Sequence, residues 1–464
     1  MVVVGAGPGG YVAAIRAAQL GLSVAVVERQ KALGGTCLLW GCIPTKALLE
    51  HAHALKIAQG AKEWGLTLPP GEVGIDMVQV QSRKDRIVNG LSKGVEFLFK
   101  KHKITWIKGS GRLVGRGLVE VTGDEPTTLQ ARDIIVATGS AVRGIPGITV
   151  DRTRVITSDE AIALREVPKS LAVIGSGAVG VEFASIYRRF GSQVSVIEVL
   201  PRLAPIEDEA VSAELEKAFR KRGIKSLTGS TLGAVTAFDD HVELEVTSGG
   251  QSQRLSVDRV LVAAGRRPVT EGLGLEEQGI ATERGYIKVD AFYRTSAPGV
   301  SAIGDVITFG QGGHPQLAHV SSAEGILVAE RIAGHHVSPI NYTQVPSCTY
   351  SDPEIGRVGL TEADARAKGF DVAVGTFPFG VLGRAKIAAE IEGFVKIVSD
   401  RKYGEILGVH MIGPRATELV AEAVTAMRLE GTVEDLTRTI HAHPTFSEAF
   451  GEAAHASLGA AIHI

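Results

Sequence analysis

Twice in a chain of 464 residues, a short apolar run enters the pattern G-x-G-x-x-G. Each time it continues as a helical pattern and returns through a second apolar run to a glutamate. The first copy is Val2-Val3-Val4 followed by Gly5-Ala-Gly7-Pro-Gly-Gly10, a helix pattern from Tyr11 to Leu20, and a strand pattern from Ser23 to Val27 that ends in Glu28. The second is Ser170 to Ile174, then Gly175-Ser-Gly177-Ala-Val-Gly180, a helix over about 179–190, and a strand Gln193 to Ile197 ending in Glu198. From first glycine to acid the offset is 23 residues in both copies (5 to 28, 175 to 198). Such a βαβ unit has a physical logic. Its first glycine allows the tight turn, its second lets the backbone approach a pyrophosphate, and its third lets helix and strand pack closely. The helix N-terminus attracts phosphate and the acid accepts hydrogen bonds from ribose hydroxyls. The pattern predicts an α/β protein with two Rossmann-like dinucleotide-binding domains.

Two such units in one chain point to two different dinucleotides exchanging electrons. A fused repeat that binds one cofactor type twice is the alternative. Glu198 would repel a 2′-phosphate, so the second unit is expected to prefer NAD over NADP. Two further apolar strands, Asp133 to Ser140 and Arg259 to Pro268, end in turn residues where a ligand can sit at the carboxyl edge of a parallel sheet.

The chemistry is carried by Gly34-Gly35-Thr36-Cys37-Leu38-Leu39-Trp40-Gly41-Cys42-Ile43-Pro44-Thr45-Lys46. This stretch holds two of only three cysteines in the chain. Three cysteines cannot form a secreted disulfide framework, so a reducing compartment, the cytoplasm, is expected. After Cys42 the sequence reads as a helix, with Pro44 in its first turn. A thiol at a helix N-terminus is stabilised as thiolate by the partial positive charge there. Lys46 falls one turn on. Three readings are open: a redox pair, a zinc site, or two bland buried cysteines. Zinc wants two more soft ligands, and Cys348 is the one cysteine left; no metal is expected. The stretch directly follows the first βαβ unit, and a flavin mediates between thiols and nicotinamide. FAD is therefore expected at the first site and NAD at the second.

Charge narrows the partners. A formal net charge of −2 gives no polybasic face for nucleic acid or an anionic membrane. No run of about 18 apolar residues predicts a membrane span. The N-terminus lacks the basic leader of a signal peptide and leaves a first strand of about three residues.

These features together resemble the pyridine nucleotide-disulfide oxidoreductases over essentially the whole length. Within that family they are most similar to the branch that oxidises dihydrolipoyl groups with NAD. The marks are Gly5 to Gly10, Gly34 to Lys46, Gly175 to Glu182, Thr295 to Asp305 and His441 to Glu448. The resemblance implies that Cys37 exchanges with substrate sulfur and that Cys42 lies against the flavin, the two forming a redox disulfide. It implies that Lys46 sits near the flavin, paired with Glu182. Gly35, Thr36, Gly111, Thr138, Gly139 and Ser140 match flavin contacts. So do Asp305, near the ribityl chain, and the segment Gln316-Leu317-Ala318-His319. Leu232 and Gly265 match positions lining the NAD site. His443 would take and return the thiol proton, oriented by Glu448; imidazole titrates near neutrality, which suits that role. Thr445-Phe-Ser-Glu448 also reads as a helix capping box, and both roles can coexist. His441 has no such assignment. In this family the His–Glu pair comes from the partner subunit, so a homodimer with composite sites is implied. Docking to the acyltransferase core of a 2-oxoacid dehydrogenase complex is implied likewise.

Five positions depart from the family pattern: Leu39-Trp40 where a small polar and an aliphatic residue are usual, Thr45 for serine, Gln316 for methionine, and Asp352 where a histidine often stands. The expected organisation is an FAD domain over 1–142, an NAD domain over 143–268, a central segment over 269–338 and an α+β dimerisation domain over 339–464. Another disulfide such as glutathione, mercuric ion, or a flavin-bearing redox sensor without turnover are the competing functions. Glu198 and the Ile43-Pro44-Thr45-Lys46 context argue against the first. The absence of cysteines near the C-terminus argues against the second, and a thiol-facing His443 against the third.

Overall fold

In the computed structural model, residues 1–69, 71–310 and 313–464 are described. Contacts divide the chain into two compact units. One comprises 1–48, 78–143 and 265–340; the other comprises 49–77, 144–264 and 341–464.

The first unit is built on a five-stranded parallel sheet. Its order is Val300–Ala302, Ile134–Val136, Val2–Val4, Ala25–Glu28, Thr105–Lys108. The three-residue first strand is enough because it is central. Val2, Val3 and Val4 pair on both sides and are buried, as expected of strands that read as continuous apolar runs. The helix Pro8–Gln19 lies directly after the glycine turn. It packs against the helix Ala318–Ile332 through glycine and alanine: a Cβ on Gly325 would stand 2.6 Å from the Gly9 carbonyl oxygen. Two long helices, Cys42–Gln59 and Met77–Lys101, lie between the strands Ala25–Glu28 and Thr105–Lys108.

The second unit repeats the sheet. Its order is Val155–Ile156, Arg259–Val262, Ser170–Ile174, Gln193–Ile197, Lys225–Leu227, again all parallel. It also holds a five-stranded antiparallel sheet in the order Ser347–Thr349, Glu354–Gly359, Ile406–Gly413, Phe394–Asp400, Val372–Pro378. The helices Ala416–Arg428 and Glu448–Ser457 cover it. Gly375 lets the second of these lie on the sheet, since a Cβ there would fall 1.9 Å from the Ala453 carbonyl oxygen. A 3-10 turn at Tyr342–Gln344 precedes Ser347–Thr349, because the Asn341 side chain accepts the Thr343 N–H and starts a turn. Among the described residues, no helix is long and apolar enough to cross a membrane.

Candidate functional site

The two glycine turns agree in backbone angle and in their tightest contact. Gly5 and Gly175 take φ of +103° and +101°, left-handed conformations that favour glycine. A Cβ on Gly10 would lie 2.0 Å from the Gly5 carbonyl oxygen; a Cβ on Gly180 would lie 2.0 Å from that of Gly175. Gly7 and Gly177 are the N-caps of the following helices and offer no side-chain cap, which leaves the first-turn N–H groups to an anion. At Gly177 an added Cβ would meet open space, and so it would at Gly139 and Gly265. At Gly35 it would press 2.5 Å from the Gly7 Cα, so the second glycine pair closes against the first turn. These uncapped, glycine-lined cradles fit dinucleotide pyrophosphates.

The acids do more than the sequence suggested. Glu28 is buried; its Oε2 accepts the Ala6 N–H at 2.8 Å and its Oε1 the Gln30 N–H at 2.8 Å. Glu198 is buried likewise. Its Oε2 accepts the Ser176 N–H at 2.8 Å and the Ser176 hydroxyl at 2.7 Å, and its Oε1 the Leu200 N–H at 2.9 Å. Each carboxylate braces the glycine turn of its own unit. With about four lone-pair sites per carboxylate, acceptor capacity for ribose hydroxyls remains.

Gly35, Thr36 and Cys37 lie in the short helix Gly35–Leu39, and Cys42 opens the helix Cys42–Gln59, as the sequence predicts. Gly41 makes the break between them. A Cβ at that position would meet the Thr36 carbonyl oxygen at 2.8 Å, and the Thr45 hydroxyl donates back to the Gly41 carbonyl at 2.7 Å. The two cysteines are brought into side-chain hydrogen-bonding contact. That hydrogen bond, burial, and the negative potential of Cys42 and Asp305 push the Cys37 thiol well above its ordinary value; Lys46 opposes them. Two adjacent thiols that resist joint ionisation are poised for disulfide chemistry.

Asp305, whose charge acts on Cys37, is the centre of a polar cluster. The Ser140 hydroxyl donates to Asp305 Oδ2 at 2.6 Å, while Arg266 donates from Nε to that hydroxyl at 2.6 Å and from Nη2 to the Ser140 carbonyl at 2.8 Å. The Thr138 hydroxyl donates to the Val269 carbonyl. Gln316, at φ +49°, donates from Nε2 to the Asp305 carbonyl at 3.3 Å. Leu317 caps the helix that starts at Ala318-His319. A Cβ added at Gly111 would meet Val4 at 3.1 Å and Val119 and Val27 at 3.4 Å. Gly265 accepts the Arg143 N–H at its carbonyl and belongs to the first unit, whereas Leu232 lies on the strand Ser230–Ala237 of the second.

Three residues here were not singled out from sequence. Arg266 is one. His314 and Glu324 are the others: both side chains are buried, His314 Nε2 is 2.7 Å from Glu324 Oε1, and Glu324 Oε2 accepts the Gly304 N–H at 2.7 Å. The available signal was a single acid on an otherwise apolar helical face in Ala318–Ile332. Glu182 has the same signature. It is buried within Ala178–Phe190, and its Oε1 accepts the Tyr350 N–H at 2.9 Å.

In the second unit, His443 Nδ1 lies 2.8 Å from Glu448 Oε1, and the imidazole is largely exposed. Burial pushes the Glu448 carboxyl up, but the Thr445 N–H at 2.8 Å and His443 outweigh it and hold the group below its ordinary value. The capping box expected at Thr445 is only half formed. Glu448 does reach back to the Thr445 N–H, yet the N-cap is Ser447. The Thr445 hydroxyl is spent on the Ala442 carbonyl and lies 2.8 Å from that of Ser447. The other carboxylate oxygen is thereby left for His443. His441 has its own partner, Glu422, at 2.6 Å.

With this geometry in place, comparison with known proteins gives a consistent result. The model of the pyridine nucleotide-disulphide oxidoreductases matches residues 1–325, and that of their dimerisation domain matches residues 345–454. The dihydrolipoyl dehydrogenase of Bacillus subtilis is 44% identical over 475 residues, covering 100% of this chain and 98% of that protein. Dihydrolipoyl dehydrogenase 3 of Pseudomonas aeruginosa is 46% identical, covering 98% and 97%. Among solved structures, LpdA from Mycobacterium tuberculosis matches with a TM-score of 0.89 at 28% identity over 98% of both chains. The HOCl-induced flavoprotein disulfide reductase RclA from Escherichia coli matches with a TM-score of 0.86 at 28% identity, again over 98% of both.

Proposed function

The chain belongs to the pyridine nucleotide-disulphide oxidoreductases, and from that premise we propose that it is a dihydrolipoyl dehydrogenase. The observation that carries the proposal is the hydrogen-bonded pair Cys37–Cys42, set in the same unit as the first glycine cradle. Full-length similarity to dihydrolipoyl dehydrogenases supports the choice of substrate.

In the oxidised enzyme, Cys37 and Cys42 form a disulfide. One substrate thiolate attacks Cys37 Sγ; the Cys37–Cys42 bond breaks and Cys42 leaves as thiolate. The second substrate thiolate then attacks the substrate sulfur bound to Cys37, which closes the lipoyl disulfide and releases Cys37. His443 accepts the thiol proton at Nε2, with Nδ1 held by Glu448, and the exposed imidazole can pass it to water. Bound FAD supplies the two-electron relay from the thiol pair to NAD, yielding NADH and a proton. Gly5, Gly7, Gly10, Glu28, Gly35 and Asp305 would hold the flavin nucleotide. Gly175, Gly177, Gly180 and Glu198 would hold NAD.

The dimerisation domain supports a homodimer. In this reading the His443–Glu448 pair of one protomer serves the thiols of the other. The partner is a lipoyl group on a carrier domain, and an acyltransferase core of a 2-oxoacid dehydrogenase complex is the corresponding assembly, in the cytoplasm. The deciding experiment is NADH formation by the purified flavoprotein given dihydrolipoamide with NAD or NADP. Rapid turnover with NAD alone is expected. A flavin that NADH reduces, without dihydrolipoamide turnover, would overturn the substrate and leave another disulfide.

A further inference from the structure

We propose that the second unit carries a binding site for a small phosphate-bearing anion, on the edge of its parallel sheet opposite the NAD cradle. A cavity of about 250 Å³ is lined by Gln59, Ser185, Arg188, Arg189, Arg222 and Asp352, among others. Its walls come from the C-terminal turn of Ala178–Phe190, the end of Glu209–Lys221, and the residues just before the strands Gln193–Ile197 and Lys225–Leu227. The glycines 175–180 follow the carboxyl end of Ser170–Ile174, so the two sites sit at opposite strand ends.

The charge in this cavity is unbalanced. Arg222 Nη2 lies 2.9 Å from Asp352 Oδ1 and 2.7 Å from Glu392 Oε2. Arg189 Nη2 is 3.2 Å from Asp352 Oδ2, and Lys56 Nζ is 3.6 Å from its Oδ1. Lys221 lies 2.6 Å from Glu392. Arg188 is spent on backbone, donating to the carbonyls of Arg222 and Ser192. Four cations thus share two carboxylates, and Arg188 adds a fifth positive charge beside them. Arg222 Nε is buried with no hydrogen-bond partner, a donor that ordinarily finds one. Guanidinium forks match phosphate oxygens bidentately. The volume corresponds to roughly eight waters, room for phosphate or a small phosphomonoester but not a dinucleotide. Asp352 occupies the cationic centre as an internal stand-in, and an incoming phosphate competes with it.

The test uses the FAD-bound dimer with NAD saturating, so that both pyrophosphate cradles are filled. Inorganic phosphate is titrated against chloride and against succinate at matched ionic strength, with thermal midpoint and calorimetric affinity read out. Phosphate is expected to raise the midpoint where chloride and succinate do not. Asp352→Asn removes the competitor and leaves the arginines facing one another. It should melt lower, bind phosphate at least threefold tighter and regain its midpoint with phosphate. Arg189→Gln, at the more exposed arginine, should bind at least fivefold weaker and still fold. Equal responses of wild type and Arg189→Gln, no gain in Asp352→Asn, or an equal shift with succinate would each overturn the proposal.

Discussion

At the scale of single residues the roles separate by what each group can still donate or accept. His443 has one nitrogen committed to Glu448 and its ring largely in solvent, the arrangement of a proton carrier and not of a core histidine. Replacing it by glutamine should lower turnover by about 10²–10⁴-fold with the flavin spectrum unchanged, as steady-state assays and absorbance will show. Cys37→Ser should abolish dihydrolipoamide turnover, while NADH still reduces the flavin under anaerobic titration. Position 198 is more constrained than a ribose contact alone requires. The carboxylate holds the Ser176 N–H and hydroxyl and the Leu200 N–H. A substitution there should change the affinity for NAD and the stability of the turn together. Sequence could name Glu198 but not this double duty, because which N–H groups a carboxylate reaches depends on how the strand end and the turn meet. Arg266, His314 and Glu324 escaped for the same reason, since their partners are set by tertiary packing.

At the scale of elements, the glycine units were legible because their chemistry is local. A turn with φ near +100° and a helix pressed onto a carbonyl can each be built only by glycine. The capping box was misread because the Thr445 hydroxyl had closer partners in Ala442 and Ser447, a competition that residue spacing does not register. Gly180→Ala puts a methyl group 2.0 Å from the Gly175 carbonyl oxygen, an overpacking that costs about 1–3 kcal/mol or more. It should lower the affinity for NAD and the thermal midpoint while flavin content stays full. Gly10→Ala, with the same 2.0 Å clash at Gly5, should instead yield protein depleted of flavin. Gel filtration with absorbance at the flavin band separates the two outcomes.

At the scale of the molecule, stability rests in part on buried ion pairs. Lys396 Nζ is 2.9 Å from Asp208 Oδ1 and 2.8 Å from Glu362 Oε2, and both Lys396 and Asp208 are buried. Lys396→Met strands the buried carboxylate of Asp208 and should cost about 3–5 kcal/mol, read as a lower denaturant midpoint for the transition of this unit. Acid should act on Asp352. Burial pushes its carboxyl up, but Arg222, Lys56 and Arg189 outweigh that and hold it at about 2, below the ordinary 3.8. A depressed folded-state value contributes stability that is full above the unfolded value and is lost as pH falls toward the folded one. The thermal midpoint of the wild type should therefore drop between about pH 4 and pH 2, and Asp352→Asn should flatten that part of the profile.

The near identity of the two glycine turns has a practical corollary. Each lesion placed in one cassette has a matched twin in the other, with the same local clash, the same backbone and a different guest. Differences between twins then report the guest and its surroundings, since the strain of the turn cancels. What sets the first cassette apart is the segment that follows it, Gly34 to Lys46, with its thiols. The molecule is thus a paired experiment on how one nucleotide cradle is specialised by the segment appended to it.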